Sequence, residues 1–378
     1  MRPRDTAVPF ARTRPRHEAA AAMSRNARRV LRSLRAPLIV TKYEVQCRPA
    51  CRSRRHLTTA HVSHQRLLLS RPSTTEPDHA IPPTRDTDDD MAQPEQITGL
   101  DYSCHQYGDH ALQRVGIWQP TPRRHHGYWV IYLHGGAWRD PRNTHLNFVP
   151  SIKQIQSNFD AAVRGYISVD YRLSPHQDYP QDPAQTPKPE LRIAKHPDHV
   201  LDIRAALHFL DTEYQISRGY ILVGHSAGAM LAFQALMGQS ALARQQPRGP
   251  IPLPVAIIGI SGIYDLVGLN SRKEGYDGFI SAAFGKDQKV WQAASPATFG
   301  GSFKETWSGS PLAILAHSPE DTLVDMPEID SMAAKLSEDG INIVAVRDLS
   351  GEHDEVWKDG SQLASLVAQA LQRLSSAG

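Results

Sequence analysis

The chain is poor in cysteine, in long apolar runs and in metal-ligand spacings, and each shortage excludes something. Its 378 residues include three cysteines, Cys47, Cys51 and Cys104. None lies beyond residue 104, so a secreted, disulfide-held framework is excluded and a reducing compartment is expected. Cys47 and Cys51 lack a second ligand pair, and the histidines and carboxylates show no H-E-x-x-H-like spacing, so no metal is expected. No stretch approaches about 18 consecutive apolar residues. Leu67-Leu68-Leu69 is too short for a signal-peptide core, so neither a membrane-spanning helix nor a membrane partner is expected. There is no internal repeat, which excludes solenoids and propellers.

Acidic residues are scarce at one end. Residues 1–75 hold 17 Lys and Arg against 3 Asp and Glu, while the remainder holds 25 against 36. The overall formal charge of +3 describes neither part. An Arg-rich, acid-poor start suits a mitochondrial-type transit peptide or a nucleic-acid-binding tail, and Ala20–Leu34 can be drawn as a basic amphipathic helix. Against both stand the lack of sustained periodicity before residue 90 and the absence of any nucleic-acid-binding module. Met91-Ala92-Gln93-Pro94-Glu95-Gln96 reads as the start of a compact domain. The expectation is a disordered N-terminal extension over residues 1–94, a folded domain over 95–378, and no nucleic-acid partner. It places the protein in the cytoplasm, or in mitochondria if the basic segment serves as a transit peptide.

From about residue 97 strands and helices alternate. Gln113–Gln119, Tyr128–Leu133, Tyr166–Asp170, Tyr220–Val223, Val255–Ile260, Leu312–His317 and Ile341–Val346 read as strands. Several are continuous apolar runs, as parallel strands buried on both faces require. Val200, Ile203, Leu207 and Leu210 fall on one face of a helix over Val200–Thr212, and Ala227–Leu236 and Ser361–Leu374 also read as helices. The alternation predicts an α/β fold, a doubly wound, mostly parallel sheet with helices on both faces and its ligand site at the carboxyl ends of the strands. A Pro-rich, charged segment, Gln177–Lys195, interrupts the pattern and either covers the site or loops out.

What is present in strength is Gly224-His225-Ser226-Ala227-Gly228, a G-x-S-x-G between an apolar strand and a small-residue helix. That is the context of a nucleophile elbow, with Ser226 exposed on a strained turn and glycines where side chains would meet the adjoining strand and helix. About ninety residues earlier, His134-Gly135-Gly136-Ala137-Trp138 follows a strand. It resembles the HGGG-type oxyanion loop of esterases and lipases, whose backbone N–H groups must approach a developing oxyanion closely. Gly135 and Gly136, with Ala227 after the nucleophile, are the expected donors. The acid should follow the strand ending near His317. Asp321 is favoured over Glu320 and Asp325, and His317 reads as a structural or pocket histidine. The base should follow the last strand, where Gly351-Glu352-His353 supplies His353. A serine hydroxyl is a weak nucleophile at neutral pH, so His353 would take its proton while Asp321 fixes the imidazole tautomer.

With Asp170-Tyr171-Arg172-Leu173-Ser174-Pro175 and His196-Pro197-Asp198-His199 added, this set of motifs resembles the fungal kynurenine formamidases (arylformamidases) of the α/β-hydrolase superfamily over residues 95–378. The loop variant marked by His134 and Trp138 is that family's own form. The resemblance implies hydrolysis of N-formyl-L-kynurenine, a small-molecule substrate, to L-kynurenine and formate in tryptophan degradation. It also implies an acyl-enzyme on Ser226 and no cofactor. The hormone-sensitive-lipase-like esterases share D-Y-R-L-x-P but usually carry a third loop glycine, so a carboxylesterase or lipase-like hydrolase is the alternative. Trp138 and Tyr171 are candidates for lining the pocket or for core packing. Asp265 either meets a substrate ammonium or caps a turn. A homodimer is left open.

Overall fold

The computed structural model describes residues 94–377 apart from residues 244 and 246–248. The basic segment, with Cys47, Cys51 and Ala20–Leu34, lies outside the described residues.

Eight strands form one sheet: β1 Leu100–Gln106, β2 Arg114–Pro120, β3 Tyr128–Leu133, β4 Val163–Val169, β5 Tyr220–His225, β6 Ala256–Ile260, β7 Leu312–Ala316 and β8 Asn342–Val346. Their order is β1-β2-β4-β3-β5-β6-β7-β8. β2 runs antiparallel to both its neighbours, and every other pairing is parallel. All the strands read from the sequence are present within about three residues at their ends, the usual scatter. β1 is additional. Its sequence, Leu-Asp-Tyr-Ser-Cys-His-Gln, alternates on a half-exposed edge with no apolar run to announce it, and it is recruited by pairing with β2.

The period-two alternation of side chains along the strands divides the core between two faces. Val130, Tyr132, Ile221, Val223 and Ile258 point to one face, covered by α1 (Val149–Phe159) and by a C-terminal helix, Ser361–Ala377. Ile131, Leu133, Leu222 and Ile257 point to the other. There α2 (Asp198–Tyr214), α3 (Ala227–Gln234) and a helix over Met326–Glu338 supply Ile203, Leu207, Met230, Phe233 and Met332. β5, at the middle, is buried along its whole length, which fits its uninterrupted apolar sequence. Among the described residues no helix is long and apolar enough to cross a membrane.

Between β4 and α2 the chain is irregular apart from one short turn of helix, Lys188–Glu190. It is not loose. Gln181 accepts from Arg192 N and donates to Glu190 O, Ala111 N donates to Pro189 O, and His110 Nε2 meets Leu191 O. Closer to β4, His176 and Tyr179 lie 5.0 Å apart, centroid to centroid, and Arg142 sits over the Tyr179 ring.

Candidate active site

The loops that matter leave the carboxyl ends of β3, β5, β7 and β8. Ser226 follows β5 with φ 54° and ψ −120°, a conformation that costs about 1–3 kcal/mol unless its surroundings hold it. They do so through Ser226 N to Ile260 O (2.9 Å) and Ala229 N to Ser226 O (3.0 Å). The two flanking glycines are required by contact. A Cβ at position 224 would stand 2.4 Å from Gly228 O, and one at 228 would stand 2.2 Å from Leu133 O on β3. Strand, turn and helix can close this tightly only without those side chains.

The loop after β3 lies beside this turn. A Cβ on Gly135 would meet Ser226 Cβ at 3.0 Å. Gly136 (φ 89°) is followed by two non-glycines in the left-handed region, Ala137 (φ 48°) and Trp138 (φ 59°). Several contacts hold that shape. Arg139 N and Asp140 N donate to Gly136 O, and Ser174 N donates to Trp138 O. The Trp138 ring is fully buried, edge-on to Phe284 at 4.9 Å. Tyr171 Oη donates to the carbonyls of His134 and Gly135, and its ring stacks on His134 at 4.5 Å. Trp138 and Tyr171 are therefore core side chains that shape the loop and do not line the cavity. No described residue accepts from the amide N–H groups of Gly135, Gly136 or Ala227.

Beneath the loop sits Asp170, nearly fully buried. It accepts from Arg114 Nε (2.7 Å), His145 N (2.5 Å) and His145 Nδ1 (2.8 Å), with His134 Nε2 at 3.6 Å. Burial alone would raise its pKa, but the His145 hydrogen bond and the surrounding positive charge hold it down at about 2. The rest of the D-Y-R-L-S-P run is also scaffold. Arg172 forks onto Asp202 (2.7–3.1 Å), and Ser174 Oγ bonds Ala194 O and His199 Nε2. Burial pushes the His134 and His199 imidazoles below their ordinary range, so both sit neutral in the frame.

After β7, three carboxylates compete for one histidine. Asp321 Oδ2 accepts from His353 Nδ1 at 2.7 Å, and its Oδ1 accepts from Leu323 N and Val324 N. Glu320 instead accepts from Gly351 N, and Asp325 is held by Arg272. Burial would raise the Asp321 pKa; the His353 hydrogen bond, His353 charge and the Val324 amide bring it down to about 2. His353 thus carries its proton on Nδ1, leaving Nε2 as the basic nitrogen. His317 is fully buried, donates to Val324 O (2.9 Å) and props the same loop from behind. His225, pushed down by burial and then by its neighbour His353, donates from Nε2 to His353 O at 2.9 Å. His225, His353 and Asp354 gather ligating atoms within 4.8 Å of one another, but His225 Nε2 and His353 Nδ1 are already engaged as donors.

Ser226 and His353 open onto one cavity of about 310 Å³. Ile263, Tyr276, Phe279 and Val324 form its apolar wall, while Arg139, Arg142, Asp140 and Asp354 give it a charged rim to which His176 adds a polar side chain. A separate cavity of about 210 Å³, around Tyr107, Arg172 and Arg204, holds none of the candidate site residues. The irregular segment contributes only at the edge, through His176 and through Tyr179 against Arg142. Asp265 accepts from Gly268 N as the N-cap of the next helix and does not line the cavity. Sequence reasoning missed Arg139, Asp354, Tyr276 and Phe279. The first two adjoin motif residues, which is a usable signal; the last two sit on a segment carrying no motif.

Comparison with known proteins agrees with this architecture. The model of the α/β-hydrolase-fold family matches residues 130–334, more than half of the chain. A kynurenine formamidase-like hydrolase of Fusarium equiseti is 35% identical over 274 residues, which is 69% of this chain and 90% of that protein. A kynurenine formamidase of Aspergillus versicolor is 35% identical over 255 residues, 61% of this chain and 84% of that protein. Among solved structures, esterase B from Lactobacillus rhamnosis superposes with a TM-score of 0.56 at 16% identity, covering 76% of this chain and 91% of that one, a likeness of fold. The chain belongs to the kynurenine formamidase family of α/β hydrolases.

Proposed function

We propose that this hydrolase cleaves N-formyl-L-kynurenine to L-kynurenine and formate, the step that tryptophan degradation requires, through a formyl-enzyme on Ser226. The observation that carries the reading is the single cavity onto which Ser226 and an Asp321-held His353 both open, under an aromatic wall and a charged rim. A long acyl chain entering it would strip water from Arg139, Asp140 and Asp354 without replacing their partners, which is costly. A compact, polar, aromatic amide would not. The relatives named as kynurenine formamidases support the same choice over a carboxylesterase or lipase.

In this mechanism Ser226 Oγ attacks the formyl carbon while His353 Nε2 takes the hydroxyl proton. Asp321 stabilises the imidazolium and keeps the ring oriented. The oxyanion is received by the N–H groups of Gly135, Gly136 and Ala227, whose lack of protein acceptors leaves them available. Each such donor typically lowers the barrier by about 3 kcal/mol. His353 then passes its proton to the aniline nitrogen as the C–N bond breaks, and L-kynurenine leaves. Water attacks the formyl ester, giving a proton to Nε2; as the C–O bond to Ser226 breaks, His353 returns that proton to Oγ, and formate leaves with the serine hydroxyl restored.

The test is an acyl series on one aromatic amine. kcat/KM should fall from formyl to acetyl to butyryl by about tenfold or more per step, because each added carbon must be fitted beside the oxyanion loop. N-formyl-L-kynurenine should also be a far better substrate than p-nitrophenyl acetate. A preference for butyryl or longer groups would overturn the formamidase reading and establish the esterase.

A further inference from the structure

The rim of the cavity is not uniformly charged. Asp140 and Arg142 neutralise each other through a forked pair, with contacts from 2.6 to 3.2 Å. Arg139 and Asp354 have no such relief. Arg139 is half-buried with its guanidinium 5.4 Å from the centroid of the Phe279 ring; among the described residues it has no ion pair, and the charges of Asp178 and Asp140 act on it only from farther off. Asp354 lines the same cavity, and among the described residues its carboxylate is hydrogen-bonded by Trp357 Nε1 alone, at 3.3 Å. A half-buried cation and a half-buried anion, each short of a partner and both facing one cavity, leave two opposite charges to be matched by whatever binds there.

We propose that Arg139 and Asp354 are the specificity pair for a zwitterionic amino-acid head, Arg139 receiving the α-carboxylate and Asp354 the α-ammonium of the substrate. The assignment rests on the formamidase reading above and specifies which substrate atoms meet which side chains. A guanidinium presents a planar fork that matches a carboxylate, and stacking on Phe279 restrains that fork before substrate arrives. Asp354 follows His353 in sequence, and its ligating atom lies within 4.8 Å of those of His225 and His353, so an ammonium held there stays close to the reacting serine. The aromatic ring of the substrate would then lie along the wall made by Phe279, Tyr276 and Ile263.

The experiment compares kcat/KM on three formamides of the same aryl ketone: N-formyl-L-kynurenine, N-formylkynuramine, which lacks the carboxylate, and 2′-formamidoacetophenone, which lacks both charges. Charge-assisted hydrogen bonds of this kind are worth roughly 10- to 100-fold. R139Q should therefore lose about 30-fold more on N-formyl-L-kynurenine than on N-formylkynuramine, chiefly through KM, and R139K should recover part of that difference. D354N should lose about tenfold more on N-formylkynuramine than on 2′-formamidoacetophenone. Equal losses on all three substrates would overturn the pair while leaving the formamidase reading intact. If the unsubstituted enzyme does not prefer N-formyl-L-kynurenine to 2′-formamidoacetophenone, the pair fails at once, and poor hydrolysis of all three formamides would reject the formamidase reading with it.

Discussion

The two flanks of Ser226 are held in place by different physics. On the oxyanion side, the Gly135–Trp138 loop rests on a dry frame in which Asp170, His134, His145 and Tyr171 are all essentially buried. On the acid side, the loop carrying Asp321 is strapped from outside. Arg272 reaches Asp325 and Glu328, Lys273 Nζ donates to Thr322 O, and Tyr276 Oη donates to Leu323 O. The first frame depends on buried charge, which is costly to break; the second depends on half-exposed cations, which water can replace. The oxyanion side must keep strained left-handed residues in one shape, whereas the acid side needs only to hold one carboxylate against one imidazole.

The largest expected effect lies between the flanks. Ser226→Ala should lower kcat by 10⁴-fold or more while leaving the melting temperature within about 2 °C, and His353→Ala should cost nearly as much because the two act as a unit. Activity within tenfold of the parent would refute the nucleophile assignment and make the comparison of flanks irrelevant to catalysis.

Next comes the buried frame. Asp170→Asn leaves Arg114, His145 and His134 without their shared carboxylate and should cost about 3–5 kcal/mol of stability, read by denaturant unfolding. It should also lower kcat through the displaced loop. The folded pKa of Asp170, about 2, lies below its ordinary 3.8. Its contribution is therefore complete above about pH 4 and lost as pH falls toward 2, a loss of about 2 kcal/mol. Asp321 is depressed in the same direction. The parent protein should thus lose stability steeply across that window and the Asn variant less steeply. An unchanged slope would show that Asp170 is not the charged centre of the frame.

The outer strap should give smaller and unequal effects. Glu328 is fully buried and accepts from Tyr264 N and Asp265 N, whereas the Arg272 side chain is 31% exposed. Burial already pushes the Glu328 carboxyl up to about 7, and Arg272→Gln removes the cation that favours its ionised form, so it should cost about 1–2 kcal/mol. Glu328→Gln keeps an acceptor for both amides and releases an arginine that water can solvate, so it should cost about 1 kcal/mol or less. The reverse ranking in thermal unfolding would mean that the strap works through Glu328 and that the two flanks are built alike.

This contrast also explains what was legible. The flank proposed to receive the oxyanion announces itself because close backbone approach permits only glycine at a few positions, and Gly135, Gly224 and Gly228 are such positions. The positions of β2 to β8 along the chain followed from apolar runs, but their order in the sheet did not. Asp321 could be favoured over Glu320 and Asp325 by position, yet its 2.7 Å contact with His353 is a tertiary fact. The strap was invisible, because Arg272, Lys273 and Tyr276 lie on a surface segment whose role exists only once β6 and β7 are side by side. β1 was invisible for a related reason, since a half-exposed edge strand needs no apolar run. Trp138 and Tyr171 were open between pocket lining and core packing, and sequence could not say that they face the core and shape the loop from beneath.

The smallest effect is expected from a region that belongs to neither flank. Residues 1–75, with 17 basic and 3 acidic residues, lack the apolar periodicity that a packed element needs. Every candidate site residue lies between His134 and His353, well past that segment. We therefore expect a chain beginning at Met91 to keep its melting temperature within about 2 °C and its kcat/KM within about twofold. A long basic segment acts at a distance on charged ligands, here only weakly on a zwitterionic substrate, and salt reveals such an effect. Such steering fades above about 0.1 M salt, so a gap between the full and shortened chains that closes on adding salt would assign the segment an electrostatic role. A gap that persists at high salt, or a lower melting temperature, would show that the segment packs on the enzyme and that its charge is not the relevant property.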